Sequence, residues 1–226
     1  MKNLRLLLLL PLLTLSLPAA AQRAEGLARS LERQGMVDVR GLDSTIHVSL
    51  MYARADNFTG RVLYDGLDRA YLHPQAARAL VRAQAALRRL RPDLSLKVYD
   101  AARPMSVQQK MYDAVRGTAK NIYVSNPRNG GGLHNYGLAV DITLCRAATG
   151  DTLAMGTVVD HLGPLAHVKG EADALRRGHL TPEAVANRRL LRRVMAEASF
   201  RVLSTEWWHF NFKSRAEARR LYKVIR

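Results

Sequence analysis

Five residues, scattered along this chain, have the types that a hydrolytic metal centre needs. His134 and Asp141 stand seven positions apart, and Glu206 precedes His209 by three. Zinc accepts imidazole nitrogen and carboxylate oxygen, and a catalytic site uses three protein ligands plus water. His134, Asp141 and His209 supply that set, one ion per chain. Glu206 can lie near the metal without binding it and take the proton of an activated water. Arg103 offers a permanently charged planar fork, suited to a developing oxyanion. Each residue also has an ordinary reading. In an ideal strand, residues three apart point to opposite faces, so Glu206 and His209 converge only at a bulge or a strand end. A histidine in an aromatic strand is commonly a packed core residue. Arg103 at a helix start also fits a surface ion pair. Spacing alone leaves both readings open.

The elements around these residues follow from periodicity. Gln22 to Gln34 reads as a short amphipathic helix ended by Gly35. Ile46, Val48, Leu50 and Tyr52 alternate, which predicts a half-buried strand with His47 on its other face. Ala76, Leu80, Ala83, Leu87 and Leu90 recur at helical steps before Pro92. Leu94, Leu96 and Val98 predict a strand, and Pro104 opens a second helix through Val107, Met111 and Val115. Asn126 to Gly132 is a loop by composition, and Leu138 to Leu144 is an apolar strand. Thr181-Pro182 caps and starts a third helix. Val202 to Phe212 is β-prone. Ser214 and Glu217 form a capping box for a last helix, expected to bury Ala218, Leu221, Tyr222 and Ile225. The interspersed order predicts α+β, with a mainly antiparallel central sheet flanked by helices.

Composition narrows the class. In 226 residues, 48% are hydrophobic, enough for a packed core. The single cysteine, Cys145, excludes an intrachain disulfide and a Cys-rich zinc module. Residues 1–21 read as a secretory signal: Lys2 and Arg5, an apolar run from Leu6 to Leu17, then Ala19-Ala20-Ala21. The run is shorter than the roughly 20 residues of a membrane span, so no stable span is expected after its removal. Residues 22–226 are expected to form one exported domain, periplasmic in location. Without Lys2 and Arg5 the chain keeps 33 basic against 19 acidic residues, a charge of +14. Such a charge favours an anionic cell envelope as a partner. Nucleic acid is not expected, because export separates it and Arg78, Arg82 and Arg89 share one solvated helix face.

Three stretches together resemble the zinc D-alanyl-D-alanine dipeptidases, the DD-peptidase group that includes the vancomycin-resistance dipeptidase. The family pattern is Ser-x-His-x-x-Gly-x-Ala-x-Asp followed by Glu-x-x-His. Here it reads Gly132-Leu133-His134-Asn135-Tyr136-Gly137-Leu138-Ala139-Val140-Asp141, then Glu206-Trp207-Trp208-His209. Asp56-Asn57-Phe58-Thr59-Gly60, Arg103-Pro104 and Met155-Gly156 extend the likeness across roughly Leu42 to Phe212.

The resemblance implies a hedgehog/DD-peptidase-like fold and zinc-dependent hydrolysis of D-Ala-D-Ala, with metal-bound water as nucleophile. It implies His134, Asp141 and His209 as ligands, Glu206 as general base and Arg103 as the stabiliser of the tetrahedral intermediate. Asp160 matches a carboxylate that meets the substrate ammonium, and Tyr52 a tyrosine at the cavity rim. The family's serine is Gly132 here, which removes one hydroxyl that could orient substrate. A D,D- or L,D-carboxypeptidase acting on peptidoglycan peptides would use the same metal centre with a more open cleft; a non-catalytic cell-wall binding module would keep the fold, but the presence of His134, Asp141, His209, Glu206 and Arg103 together speaks against it.

Overall fold

The structure, a computed structural model, describes residues 19–226, with side chains from Gly26 onward. The expected signal segment lies outside the described residues except for Ala19 to Ala21, which form the first turn of helix α1 (Ala19–Arg33). The other helices are α2 (Val39–Leu42), α3 (Pro74–Leu90), α4 (Met105–Val115), α5 (Glu171–Arg176), α6 (Pro182–Glu197) and α7 (Arg215–Leu221). The strands are β1 (Val37–Asp38), β2 (His47–Val48), β3 (Tyr71–Leu72), β4 (Leu94–Asp100), β5 (Ala139–Arg146), β6 (Arg201–Leu203) and β7 (Glu206–Asn211).

The main sheet has the order β2-β4-β5-β7-β6, and β1 pairs with β3 in a small separate ribbon. The class is α+β as expected, but the main sheet is mixed. β2 runs parallel to β4, and the pairings β4–β5, β5–β7 and β7–β6 are antiparallel. A parallel pair needs a long crossover, and the chain from β2 to β4 provides one through α3.

Local chemistry explains where the helices begin. Pro74 fills the first turn of α3, and His73 Nδ1 accepts from the Gln75 amide. Thr181 Oγ1 accepts from the Ala184 amide at the start of α6. Ser214 and Glu217 cap α7 reciprocally. Pro104 sits one residue before α4, as its cap. α3 packs on β4, and α6 packs on β5 and β6. Along β5, Val140, Ile142 and Leu144 alternate with Asp141 and Thr143, so apolar and polar side chains leave on opposite faces. All eight positions but Arg146 are buried. Arg78, Arg82 and Arg89 are exposed on α3, as the solvated-face reading required.

Three local expectations need correction. The strand foreseen through Tyr52 stops at Val48, and Tyr52 sits in a 3-10 turn, Met51–Ala53. It is still buried, because the turn folds its ring against Tyr64 and Phe58. The β-prone run from Val202 to Phe212 is a hairpin, β6–β7, with a turn between Leu203 and Glu206. Leu221 is 58% exposed at the end of α7, while Ile225 is buried beyond the helix, its amide bonded to the Asn135 carbonyl. Among the described residues, no helix is long and apolar enough to cross a membrane.

Candidate metal centre

Sheet register assembles the site. Asp141 on β5 stands opposite Asp100 at the end of β4 on one side and opposite His209 of β7 on the other. His134 comes from the 3-10 turn Leu133–Tyr136 just before β5. That turn closes on Gly137, at φ +65°. A Cβ there would meet the His73 backbone nitrogen at 2.8 Å, so only glycine lets the chain turn this closely past β3 and into β5.

His134 Nε2 lies 3.3 Å from Asp141 Oδ1 and 3.1 Å from His209 Nδ1, and His209 Nδ1 lies 3.0 Å from Asp141 Oδ1. The candidate ligand atoms of these three residues all fall within 4.8 Å of one another. The outer ring nitrogens are already committed. His134 Nδ1 donates to the Ala101 carbonyl at 2.7 Å, and His209 Nε2 donates to Asn211 Oδ1 at 2.9 Å. With those outer nitrogens donating, the inner nitrogen of each ring is the one left to offer a lone pair beside the Asp141 carboxylate. Three electron-rich atoms at such distances require a cation among them, either a proton on an imidazole or a metal ion. The donor set, and the bonds that fix both rings, fit a metal of the zinc type. Burial alone would oppose ionisation of Asp141; with a proton as the cation in the cluster, the positive charge and hydrogen bonds of the imidazoles outweigh burial and hold its carboxyl well below the usual range.

Glu206 opens β7 beside a register shift in the β6–β7 pairing. This strand end lets it share a side with His209, with Oε2 at 3.9 Å from Nδ1. It is 8% exposed and hydrogen-bonds none of the three ligand candidates. Burial, with Asp141 and Asp160 nearby, pushes its pKa up to about 7, against the pull of His209 and Arg103. A carboxyl poised there can accept and return a proton near neutral pH.

Arg103 is buried, not a surface ion-pair residue. Its Nε donates to Asp100 Oδ2 at 2.9 Å, Nη2 donates to the same oxygen, and Nη1 donates to Gln108 Oε1 at 2.8 Å. Nη2 is 3.8 Å from Asp141 Oδ2. Its backbone is tied to the His134 turn: Arg103 N donates to the His134 carbonyl, and Asn135 Nδ2 to the Arg103 carbonyl. Burial penalises its charge, but Asp100 more than compensates and the guanidinium stays ionised.

Asp160 and Tyr52 meet, with the Tyr52 hydroxyl donating to Asp160 Oδ2. Asp160 adopts φ +61°, a left-handed conformation uncommon for a residue with a side chain. The loop that holds it is anchored by buried Arg188 of α6, which donates to the Met155 and Leu165 carbonyls. Burial, then repulsion from Asp141, pushes the Asp160 pKa up to about 7. Such a carboxyl would gain from a cationic ligand.

All seven residues singled out in the sequence line one cavity of about 400 Å³. Asp100, Asn211, Gln108 and Tyr64 carried no assigned role in the sequence, yet all four support it. Asp100 is fully buried, holds Arg103, and accepts from the Tyr64 hydroxyl at 2.7 Å. A carboxylate three residues before Arg103 was a readable signal. So was an asparagine two residues after His209, on the same strand face.

Residues 32–226 match the family model described as D-ala-D-ala dipeptidase. The chain is 32% identical over 181 residues to the D-alanyl-D-alanine dipeptidase of Escherichia coli K12, covering 80% of this chain and 86% of that protein. It is 27% identical over 180 residues to the enzyme of the same name from Enterococcus faecalis V583, covering 70% and 82%. A shorter match, 38% over 80 residues, links it to the D-alanyl-D-alanine dipeptidase of Streptomyces coelicolor, covering 35% and 36%.

Proposed function

This chain belongs to the D-Ala-D-Ala dipeptidase family, and on that footing we propose that it hydrolyses D-Ala-D-Ala at a single zinc held by His134, Asp141 and His209. The observation that carries the metal assignment is the pair of imidazoles whose outer nitrogens are bonded to Ala101 and Asn211, leaving their free lone pairs facing Asp141. When bound, zinc supplies Lewis-acid polarisation and makes water acidic enough to attack near neutral pH.

The chain's own groups do the rest. One oxygen of the Glu206 carboxylate accepts a proton from the attacking water as the new C–O bond forms. The same carboxyl then returns the proton to the leaving amine as the C–N bond breaks. Arg103, kept charged and aimed by Asp100 and Gln108, faces the negative charge that grows on the carbonyl oxygen. Asp160, steadied by Tyr52, pairs with the free ammonium of the dipeptide and favours it over an N-blocked peptide. A hedgehog/DD-peptidase-like architecture, cleavage of residues 1–21 on export, a mature periplasmic domain of 22–226 and attraction to the anionic envelope belong to the same reading.

The test is metal analysis of the mature chain with a D-Ala-D-Ala hydrolysis assay, run before and after chelation and zinc return. One zinc per chain and chelator-sensitive, zinc-restored release of D-alanine support the reading. A chain that binds no zinc, or that cleaves N-acylated peptides in preference to the dipeptide, overturns it in favour of a binding module or a carboxypeptidase.

A further inference from the structure

The cavity is lined by Asp160 and Glu206 but also by three cations besides Arg103, namely Arg201, Lys213 and Arg215. Lys213 is 3.7 Å from Glu217, whereas Arg201 and Arg215 enter no ion pair among the described residues. A dipeptide is a zwitterion. If its ammonium meets Asp160, its carboxylate needs a separate partner. Arg103 gives three donors to Asp100 and Gln108, and the reading above assigns its remaining charge to the carbonyl oxygen.

A second observation identifies that partner. Position 132, where the family pattern has serine, is glycine. A Cβ built on Gly132 would lie 3.0 Å from the Ser125 hydroxyl oxygen and 3.4 Å from Ser125 Cβ. The Ser125 hydroxyl thus abuts the space into which a side chain at 132 would project. It is also held from two directions. The Ser125 carbonyl accepts from Gln108 Nε2 at 2.7 Å, and its hydroxyl oxygen accepts from Arg215 Nη2 at 3.2 Å. Gln108 is the same side chain that accepts from Arg103. A hydrogen-bonded line therefore runs from Asp100 through Arg103, Gln108 and Ser125 to Arg215.

We propose that Ser125 and Arg215 form the carboxylate subsite of this enzyme, with the Ser125 hydroxyl standing in for the hydroxyl missing at position 132. This rests on the dipeptidase reading above. Arg215 supplies the charge, and Ser125 supplies a donor whose position is set through Gln108. Gly132 is what makes room for it. The backbone at 132, at φ −105° and ψ −177°, is open to any residue, so the glycine is not required by conformation.

The experiment compares D-Ala-D-Ala with its C-terminal amide, D-Ala-D-alaninamide, on zinc-loaded enzyme. Wild type is expected to prefer the free acid. S125A and R215M should each reduce the acid-to-amide ratio of kcat/KM by roughly tenfold or more, through KM, because a charge-assisted hydrogen bond is lost. G132S alone is crowded by Ser125, whereas S125A/G132S has room for the new hydroxyl and should recover much of the ratio. Melting temperatures near wild type show that the variants are folded. Variants that keep the full preference for the acid overturn the subsite while leaving the dipeptidase reading intact. A wild type that cleaves neither compound overturns both.

Discussion

Asp100 and Asp141 face each other across β4 and β5, two buried carboxylates with the guanidinium of Arg103 reaching both. Like charges directly opposite one another destabilise a sheet, so this pair needs compensating charge, which Arg103 supplies to both carboxylates. Asp100 also accepts the Tyr64 hydroxyl, so it fixes the direction in which Arg103 points. Breaking a buried ion pair by removing one partner costs about 3–5 kcal/mol, because the other charge is left uncompensated. D100A should therefore lower the unfolding free energy by an amount in that range and reduce kcat. Urea denaturation and steady-state kinetics measure both. A D100A enzyme with wild-type kcat would mean that Asp100 does not orient Arg103.

Glu206 is near the candidate ligand cluster but hydrogen-bonds none of its members, with its carboxylate 3.9 Å from the His209 ring. Its loss should separate turnover from metal binding. E206Q is expected to keep one zinc per chain while kcat falls by about 10²–10⁴, the usual contribution of a positioned acid–base group. Metal content by atomic absorption and kcat for D-Ala-D-Ala check the two halves. Loss of the zinc together with activity would recast Glu206 as a ligand.

Asn211 holds the His209 ring by its outer nitrogen. Groups in this position typically matter about 10–100-fold to metal affinity. N211A should weaken zinc binding to that degree, read by competition with a chromophoric chelator. D-Ala-D-Ala hydrolysis should return when zinc is raised. Unchanged zinc affinity would show that the His209 tautomer is set elsewhere.

Glu206 also makes the metal-free protein pH-sensitive. Burial raises its folded pKa from 4.5 to about 7. The protonated form is thus favoured in the native state. The stabilisation is fully present below the unfolded value and is lost as pH rises through the folded one. The change across that window is on the order of 3 kcal/mol. Urea midpoints of the metal-free protein should fall between pH 5 and pH 8, and E206Q should fall less. Asp160, raised to about 7 for the same reason, contributes in both proteins and leaves the difference to Glu206. Parallel pH profiles for wild type and E206Q would exclude the assignment.

Much of the scaffold was legible from local chemistry. The caps at Thr181 and Ser214 start helices where side chains satisfy free amides, and that signal is written in neighbouring residues. The helical repeat before Pro92 and the apolar alternation of β4 likewise depend on a few adjacent positions. Tyr52 was harder. Its burial could be read from alternation, but its 3-10 turn could not, because the chain leaves β2 to pack the ring on Tyr64 and Phe58. The β6–β7 hairpin was hidden in a continuous β-prone run, since Ser204-Thr205 carries no strong turn residue.

The residue types of the candidate centre were determined by sequence alone: two imidazoles, two carboxylates and a guanidinium, set in motifs that carry the family likeness. Local spacing also determined that Glu206 could work beside His209 only at a strand end or bulge, since side chains on a strand alternate. What the tertiary structure decided was which of these groups meet. Asp141 reaches His209 because β5 and β7 pair in one register, and Asp100 joins them because β4 pairs in another. Register is a property of two strands and of the core they share, not of either strand. A slip of one residue would turn every side chain to the opposite face and scatter the centre.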